Sequence, residues 1–141
     1  MDLYQQTLMD HYRYPRNRGT LDNADFKSGL YNPSCGDKVA MEGCVQEGIL
    51  IKVAFEGTGC VISQATASLL TEFVLGKSLE DIVGLDNEFL QTMLGIELGP
   101  IRFKCALLPL QALQEGIARY MQSGSDNACS TTQNLCEPLN K

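Results

Sequence analysis

Six cysteines in a chain of 141 residues are enough thiols for metal or redox chemistry: Cys35, Cys44, Cys60, Cys105, Cys129 and Cys136. No two form a CxxC pair, so neither a zinc knuckle nor a thioredoxin-type motif is present, and each local context must be weighed. Three contexts stand out. Cys35 lies in "NPSCGD", a turn in which Gly36 permits an unusual backbone angle and Asp37 offers a carboxylate two residues on. Cys60 follows "GTG" and Cys105 follows "RFK"; both are expected just before a helix. A thiol at that position meets free N–H groups and the positive end of the helix dipole. Both favour the thiolate, the form that binds metal and acts as nucleophile. Lys104, beside Cys105, is either a solvated charge or a stabiliser of a thiolate and a bound anionic sulfur species.

Three thiolates and a carboxylate form a four-ligand set, able to hold zinc tetrahedrally or iron in a cluster. A carboxylate holds these metals less durably than a fourth thiolate would, so a site that includes Asp37 could exchange its contents. The plain alternative stays open at each position. An isolated cytosolic cysteine is commonly a small buried apolar residue, and an aspartate after "CG" is commonly a turn residue. Cys44 shares strand parity with Glu42 and Gln46 and is expected to face outward, while Cys129 and Cys136 fall in a polar tail. His11, the only histidine, reads as a packing or capping residue of a short helix.

The elements that would position these residues follow from periodicity. Residues 1–14 carry a helical pattern that "YPRNRG" ends. Residues 20–27 are expected as loop, followed by a first strand over about 27–32. In "KVAMEGCVQEGILIKVAFEG", Val39, Met41, Gly43 and Val45 share one face, as do Ile49, Ile51, Val53 and Phe55 after a turn at "QEG". The period then changes. Ile62, Ala65, Leu69 and Phe73 make a helical stripe closed by Gly76, and Ser78 and Asp86 are N-caps of two short helices. "GIELGPIRF" is expected as a connection. A last helix is expected from Ala106 to about Met121, with Pro109 in its first turn. The fold class is thus α+β, with a small three-stranded antiparallel meander and several helices.

The length suits one domain, over residues 1–122, with a flexible polar tail over 123–141. A net charge of −6 argues against a nucleic-acid surface. No apolar run approaches the roughly 20 residues that span a bilayer, and the N-terminus lacks a secretory h-region, so a cytoplasmic protein without membrane contact is expected.

"DHYRYPRNRG", "NPSCGD", "GTGCVISQATASLLTE" and "RFKCALLPLQAL" occur in order between about residues 4 and 121. Together they resemble the iron–sulfur cluster assembly scaffolds of the IscU, SufU and NifU N-terminal-domain family. The resemblance implies a three-stranded antiparallel sheet packed by helices, with the motif cysteines meeting at one exposed end. It implies Cys35, Asp37, Cys60 and Cys105 as the ligands of a transient [2Fe–2S] cluster, of iron, or of zinc in their place. It implies a cysteine desulfurase as sulfur donor and acceptor proteins for the finished cluster; Cys105, at an expected helix start beside Lys104, is the thiol expected to receive the persulfide, with Lys104 assisting. An assembly scaffold is expected rather than an enzyme, with a zinc-dependent sulfur relay of SufU type as the alternative. Cys44, Cys129 and Cys136 match no functional position.

Two departures bear on that choice. Lys104 stands where IscU-type members carry a histidine, as in SufU-type proteins. The 45-residue step from Cys60 to Cys105 is short for the insertion usual in SufU-type proteins. "ELGPIRFK" replaces the LPPVK segment read by a dedicated chaperone, so that partner is not expected.

Overall fold

The computed structural model describes the backbone of residues 2–33 and 36–140, and side chains as far as residue 122. Cys35 and the side chains of Cys129 and Cys136 lie outside the described residues, as does the expected flexibility of the tail.

Helix α1 (Leu3–Arg13) opens with a capping box. The Asp2 carboxylate accepts from the Gln5 N–H, and the Gln5 side chain accepts from the Asp2 N–H. Its C-terminal motif is a fastener onto the next long helix, α2 (Val61–Val74). His11 is buried, and burial, then the Arg16 charge, lower its pKa from 6.5 against the opposing pull of Glu72 and Asp10. The neutral ring accepts at Nδ1 from the Ser68 hydroxyl, 2.7 Å away, and that hydroxyl accepts from the Arg16 N–H. Nε2–H is then left to face the Glu72 carboxylate at 3.5 Å, as a neutral donor rather than a full ion pair. Asn17 donates to Thr71 one turn further on. The histidine is therefore a packing residue, as its setting in the sequence suggested.

The sheet has the expected meander order, β1 (Phe26–Asn32), β2 (Asp37–Gln46) and β3 (Ile49–Thr58), all antiparallel. Glu47 and Gly48 close the β2–β3 hairpin, both at positive φ, as a two-residue turn matched to strand twist requires. The expected parity holds from Val39 to Gly43 but fails in β3. The register shifts at Cys44/Val45: Cys44 pairs with Lys52 while Val45 pairs with Leu50, leaving Ile51 as the extra residue of a bulge. Leu50 is fully buried and Ile51 is 44% exposed, so Leu50 takes the core position expected for Ile51. Cys44 is half-buried rather than outward, with its thiol 3.9 Å from the Asn23 carbonyl.

One face of the sheet packs against α2 and α5 (Pro100–Asn140) in a core that includes Phe26, Met41, Leu50, Phe55, Leu70 and Leu113. Gly116 lets α5 close on β1, since a Cβ there would stand 2.9 Å from the Phe26 ring and 3.0 Å from the Ser28 Cβ. A second apolar cluster joins Leu8 of α1, Ala65 of α2 and Ala106 of α5 to Leu90 and Leu94 of α4 (Asn87–Leu94). Helix α2 is thus packed on several sides and buries Ser63, Thr66, Ser68 and Thr71 as well as its apolar residues. Phe73, placed in the apolar stripe, is instead 38% exposed and packs on Phe89 at a centroid distance of 4.7 Å. The short α3 (Leu79–Val83) and α4 begin at the expected caps, Ser78 and Asp86, whose side chains accept from the Asp81 and Phe89 N–H groups.

Helix α5 departs most from expectation. It starts at Pro100, where a fixed φ and absent N–H suit the first helical position, and the Gly99 carbonyl accepts from Phe103. Cys105 therefore lies in the second turn, not at the helix start, and Pro109 lies inside the helix. The backbone helix also runs beyond Met121.

Candidate metal and sulfur site

Antiparallel register builds one half of the site. Lys38 pairs with Thr58 as the last rung between β2 and β3, so Asp37, one residue before, faces the Gly59–Cys60 segment that leaves β3. Asp37 is fully buried. Its Oδ1 accepts from the Cys60 N–H at 2.9 Å, and its Oδ2 from the Cys60 thiol at 3.4 Å. Gly59 makes this approach possible. Its φ is +147°, a region that disfavours side chains, and a Cβ on it would stand 2.2 Å from Asp37 Oδ1. Cys60 then serves as N-cap of α2 with its side chain making no cap bond, which leaves the thiol turned to the site and to solvent.

Helix α5 supplies the other half. Cys105 is 3% exposed, and one ligand atom from each of Asp37, Cys60 and Cys105 lies within 4.8 Å of the others. Zinc–sulfur bonds of about 2.3 Å and zinc–oxygen bonds of about 2.0–2.2 Å place tetrahedral ligand atoms roughly 3.5–3.8 Å apart. Small side-chain rotations would bring the three onto one ion, and two thiols with a carboxylate suit zinc or iron. Three of the four residues expected to ligate are thus brought together; the fourth, Cys35, lies outside the described residues, with Gly36 beside it at φ +78°.

A hollow of about 750 Å³ opens onto Cys60 and Cys105, walled by Leu8, Ile96, Leu98, Ile101 and Arg102. Lys104 does not line it. That side chain is exposed and lines a separate hollow with Tyr31, Pro33 and Gln111. Consecutive helical residues diverge, whereas residues three or four apart share a face. Arg102 and Ile101, not Lys104, therefore flank Cys105. Placing the helix start at Ala106 hid this relation; Pro100 as a first helical residue was the signal that would have revealed it. Cys44 stands apart from the group, and burial together with the Asp25 carboxylate pushes its thiol pKa up.

A small antiparallel sheet with helices on one face makes an α+β domain, and the cysteine–aspartate cluster at its end could hold a metal ion. Residues 3–126 match the protein-family model for the NifU-like N terminal domain. The chain belongs to that family. It is 37% identical over 134 residues to the zinc-dependent sulfurtransferase SufU of Bacillus subtilis (strain 168), covering 83% of this chain and 90% of that one. It is 37% identical over 121 residues to the iron–sulfur cluster assembly scaffold protein IscU of Escherichia coli (strain K12), covering 83% and 93%. A crystal structure from Fervidobacterium islandicum AW-1, described as an iron–sulfur cluster assembly scaffold for the SUF system, superposes with a TM-score of 0.67 at 27% identity, over 79% of this chain and 94% of that one. A NifU-like protein from Brucella abortus, at 18% identity, shares the fold with a TM-score of 0.71 over 86% and 96%. The α+β class and three-stranded sheet expected from sequence agree with these neighbours. No helix among the described residues is long and apolar enough to cross a membrane.

Proposed function

We propose that this chain is an assembly scaffold for a labile iron–sulfur cluster, held by Cys35, Asp37, Cys60 and Cys105. The observation that carries the proposal is the convergence of Asp37, Cys60 and Cys105, from three different elements, to within 4.8 Å. Sulfur comes from a cysteine desulfurase: the thiolate of Cys105 attacks the outer sulfur of the donor's persulfide, and the donor cysteine leaves as thiolate. Cys105 is reached through the apolar hollow, where Arg102 supplies the cation for the anionic sulfur. Lys104 would assist only from the neighbouring hollow. Asp37 holds the Cys60 backbone as well as offering a ligand oxygen, so its carboxylate couples loop position to ligation. The cargo is a [2Fe–2S] cluster, which passes to acceptor proteins in the cytoplasm.

Zinc-dependent sulfur relay is the second reading, favoured by the SufU relative and by donor spacing suited to one tetrahedral ion. In that case the same residues hold zinc, and a displaced thiol accepts the sulfur. The match to SufU is longer than the stretch of this chain that it covers, so SufU carries residues that this chain lacks. The match to IscU is close to gapless, which favours the scaffold.

The two are separated by anaerobic incubation with ferrous iron, cysteine and a cysteine desulfurase, with Cys35→Ser and Cys60→Ser as controls. A scaffold develops sulfide-to-iron charge-transfer absorption that both variants lack. A colourless protein that keeps zinc and gains a persulfide by mass spectrometry would establish the relay and overturn the scaffold.

A further inference from the structure

The outer edges of the sheet, β3 on one side and β1 on the other, are treated differently. The β3 edge is occupied at both ends. Phe55 accepts from the Gly19 N–H and donates to the Asn17 carbonyl, and Leu50 accepts from Gly76 and donates to Lys77. The β1 edge has no such cover. Among the described residues, no backbone group outside the sheet bonds to residues 28–31. Alternate N–H and C=O groups of an edge strand point away from its one partner, so this stretch presents a template for a further strand.

A hollow of about 420 Å³ lies against that edge. Leu30 and Asn32 share one face of β1 and Tyr31 takes the other, so a hollow lined by all three abuts the strand's edge rather than one face of the sheet. Its opposite wall is a single stripe of α5, made by Lys104, Leu107, Leu108 and Gln111 at i, i+3, i+4 and i+7. Edge strand and helix thus form a groove, with leucines along its middle and the exposed Lys104 at the end nearer the cysteines.

We propose that this groove binds an extended segment of a partner protein as a further strand beside β1, with an apolar side chain against Leu107 and Leu108 and a carboxylate on Lys104. Main-chain bonds along an open edge supply affinity in this mode of recognition, and the groove beside it selects side chains. Charge chooses the occupant. Lys104 is the charged residue among those described as lining the groove, and it makes no ion pair among the described residues. The β1 sequence, "FKSGLYN", holds Lys27 and no carboxylate, so a second copy paired edge to edge would bring Lys104 no counter-charge. A net charge of −6 also sets copies of the chain against each other. The docked segment would end beside Asn32, whose carbonyl accepts from the Gly36 N–H and whose register partner is Asp37. The partner is thereby held next to the turn that delivers Asp37 to the site. The proposal does not depend on which metal or sulfur species the thiols handle.

The test selects phage-displayed random octapeptides on the full-length protein and measures the selected peptides in solution. They are expected to alternate apolar and polar residues and to carry an aspartate or glutamate. Binding should slow hydrogen exchange at alternate amides of residues 28–31, and methylating alternate peptide nitrogens should abolish it. Lys104→Glu, an exposed change, should weaken binding by at least about fivefold, and Lys104→Arg should keep it. Failure to select a binder, peptides that hold Lys104→Glu as tightly as the parent, or binding that leaves exchange in β1 unchanged would overturn the proposal. So would protection of β1 that grows with protein concentration in the absence of peptide, which would assign the edge to a second copy.

Discussion

Cys60 and Cys105 arrive at one point by opposite means. Cys60 hangs on a short loop at the surface, held by the Asp37 carboxylate and by the backbone freedom of Gly59. Cys105 is buried in the second turn of a long helix whose neighbours, Ala106 and Leu108, belong to the two apolar clusters. One ligand is positioned by a few polar contacts, the other by core packing. The loop half is therefore sensitive to changes in backbone conformation and hydrogen bonding, and the helix half to changes in packing.

Gly59→Ala should break the loop half most severely. The added Cβ collides with Asp37 and the backbone is strained, so a loss of about 3 kcal/mol in urea denaturation is expected, with metal binding abolished. An alanine variant with parental stability would show that the loop is far more yielding than its geometry implies. Asp37→Ala leaves the Cys60 N–H without its acceptor and should cost about 2 kcal/mol. Asp37→Asn keeps an acceptor oxygen and should recover most of that stability, while zinc affinity measured by chelator competition still falls. Equal losses in the two variants would mean that Asp37 acts by charge alone.

The two cysteines themselves sharpen the contrast. Cys105→Ala removes a buried sulfur and should destabilise the metal-free protein by about 1 kcal/mol, whereas Cys60→Ala should leave its melting temperature nearly unchanged. Both should lose metal. The smallest effect concerns the fastening of α1 to α2. Above pH 6.5 His11 is neutral in the folded and the unfolded chain and contributes no pH dependence. As pH falls through 6.5 the unfolded chain takes up a proton that the folded chain, with its lowered pKa, resists, so stability falls. The decline levels off below the folded pKa, where both states are protonated. His11→Gln should flatten this part of the stability–pH curve by under about 1 kcal/mol, whereas an unchanged slope would assign the dependence to other groups.

Local pattern was enough for the meander, the hairpin turn, the caps of α3 and α4, and the end of α1, because alternation, positive-φ residues and capping side chains act within a few residues. It failed where long-range contacts chose between local options. The bulge that turns Leu50 inward and Ile51 outward is a property of the β2–β3 pairing, invisible in either strand alone. Phe73 fits an apolar stripe, yet α2 is surrounded on several sides and its outermost position is left to a surface aromatic pair. In α5, Pro109 fits the pattern of a first-turn proline, but Pro100 holds that place and Pro109 lies inside the helix. With the helix starting at Pro100, Arg102 lies one turn before Cys105 and lines the same hollow.

The sequence by itself determined which residue types were on hand for metal and sulfur chemistry. Through four motifs in order, it also determined the family resemblance that joined Cys35, Asp37, Cys60 and Cys105 into one candidate set. Only the tertiary structure decided that Asp37, Cys60 and Cys105 meet and that the carboxylate holds the Cys60 backbone. The physical reason is range. Turns, caps and periodicity are settled by forces between near neighbours in the chain. A ligand set drawn from two strand ends and a helix exists only once the register of β2 on β3 and the packing of α5 on the core have been settled.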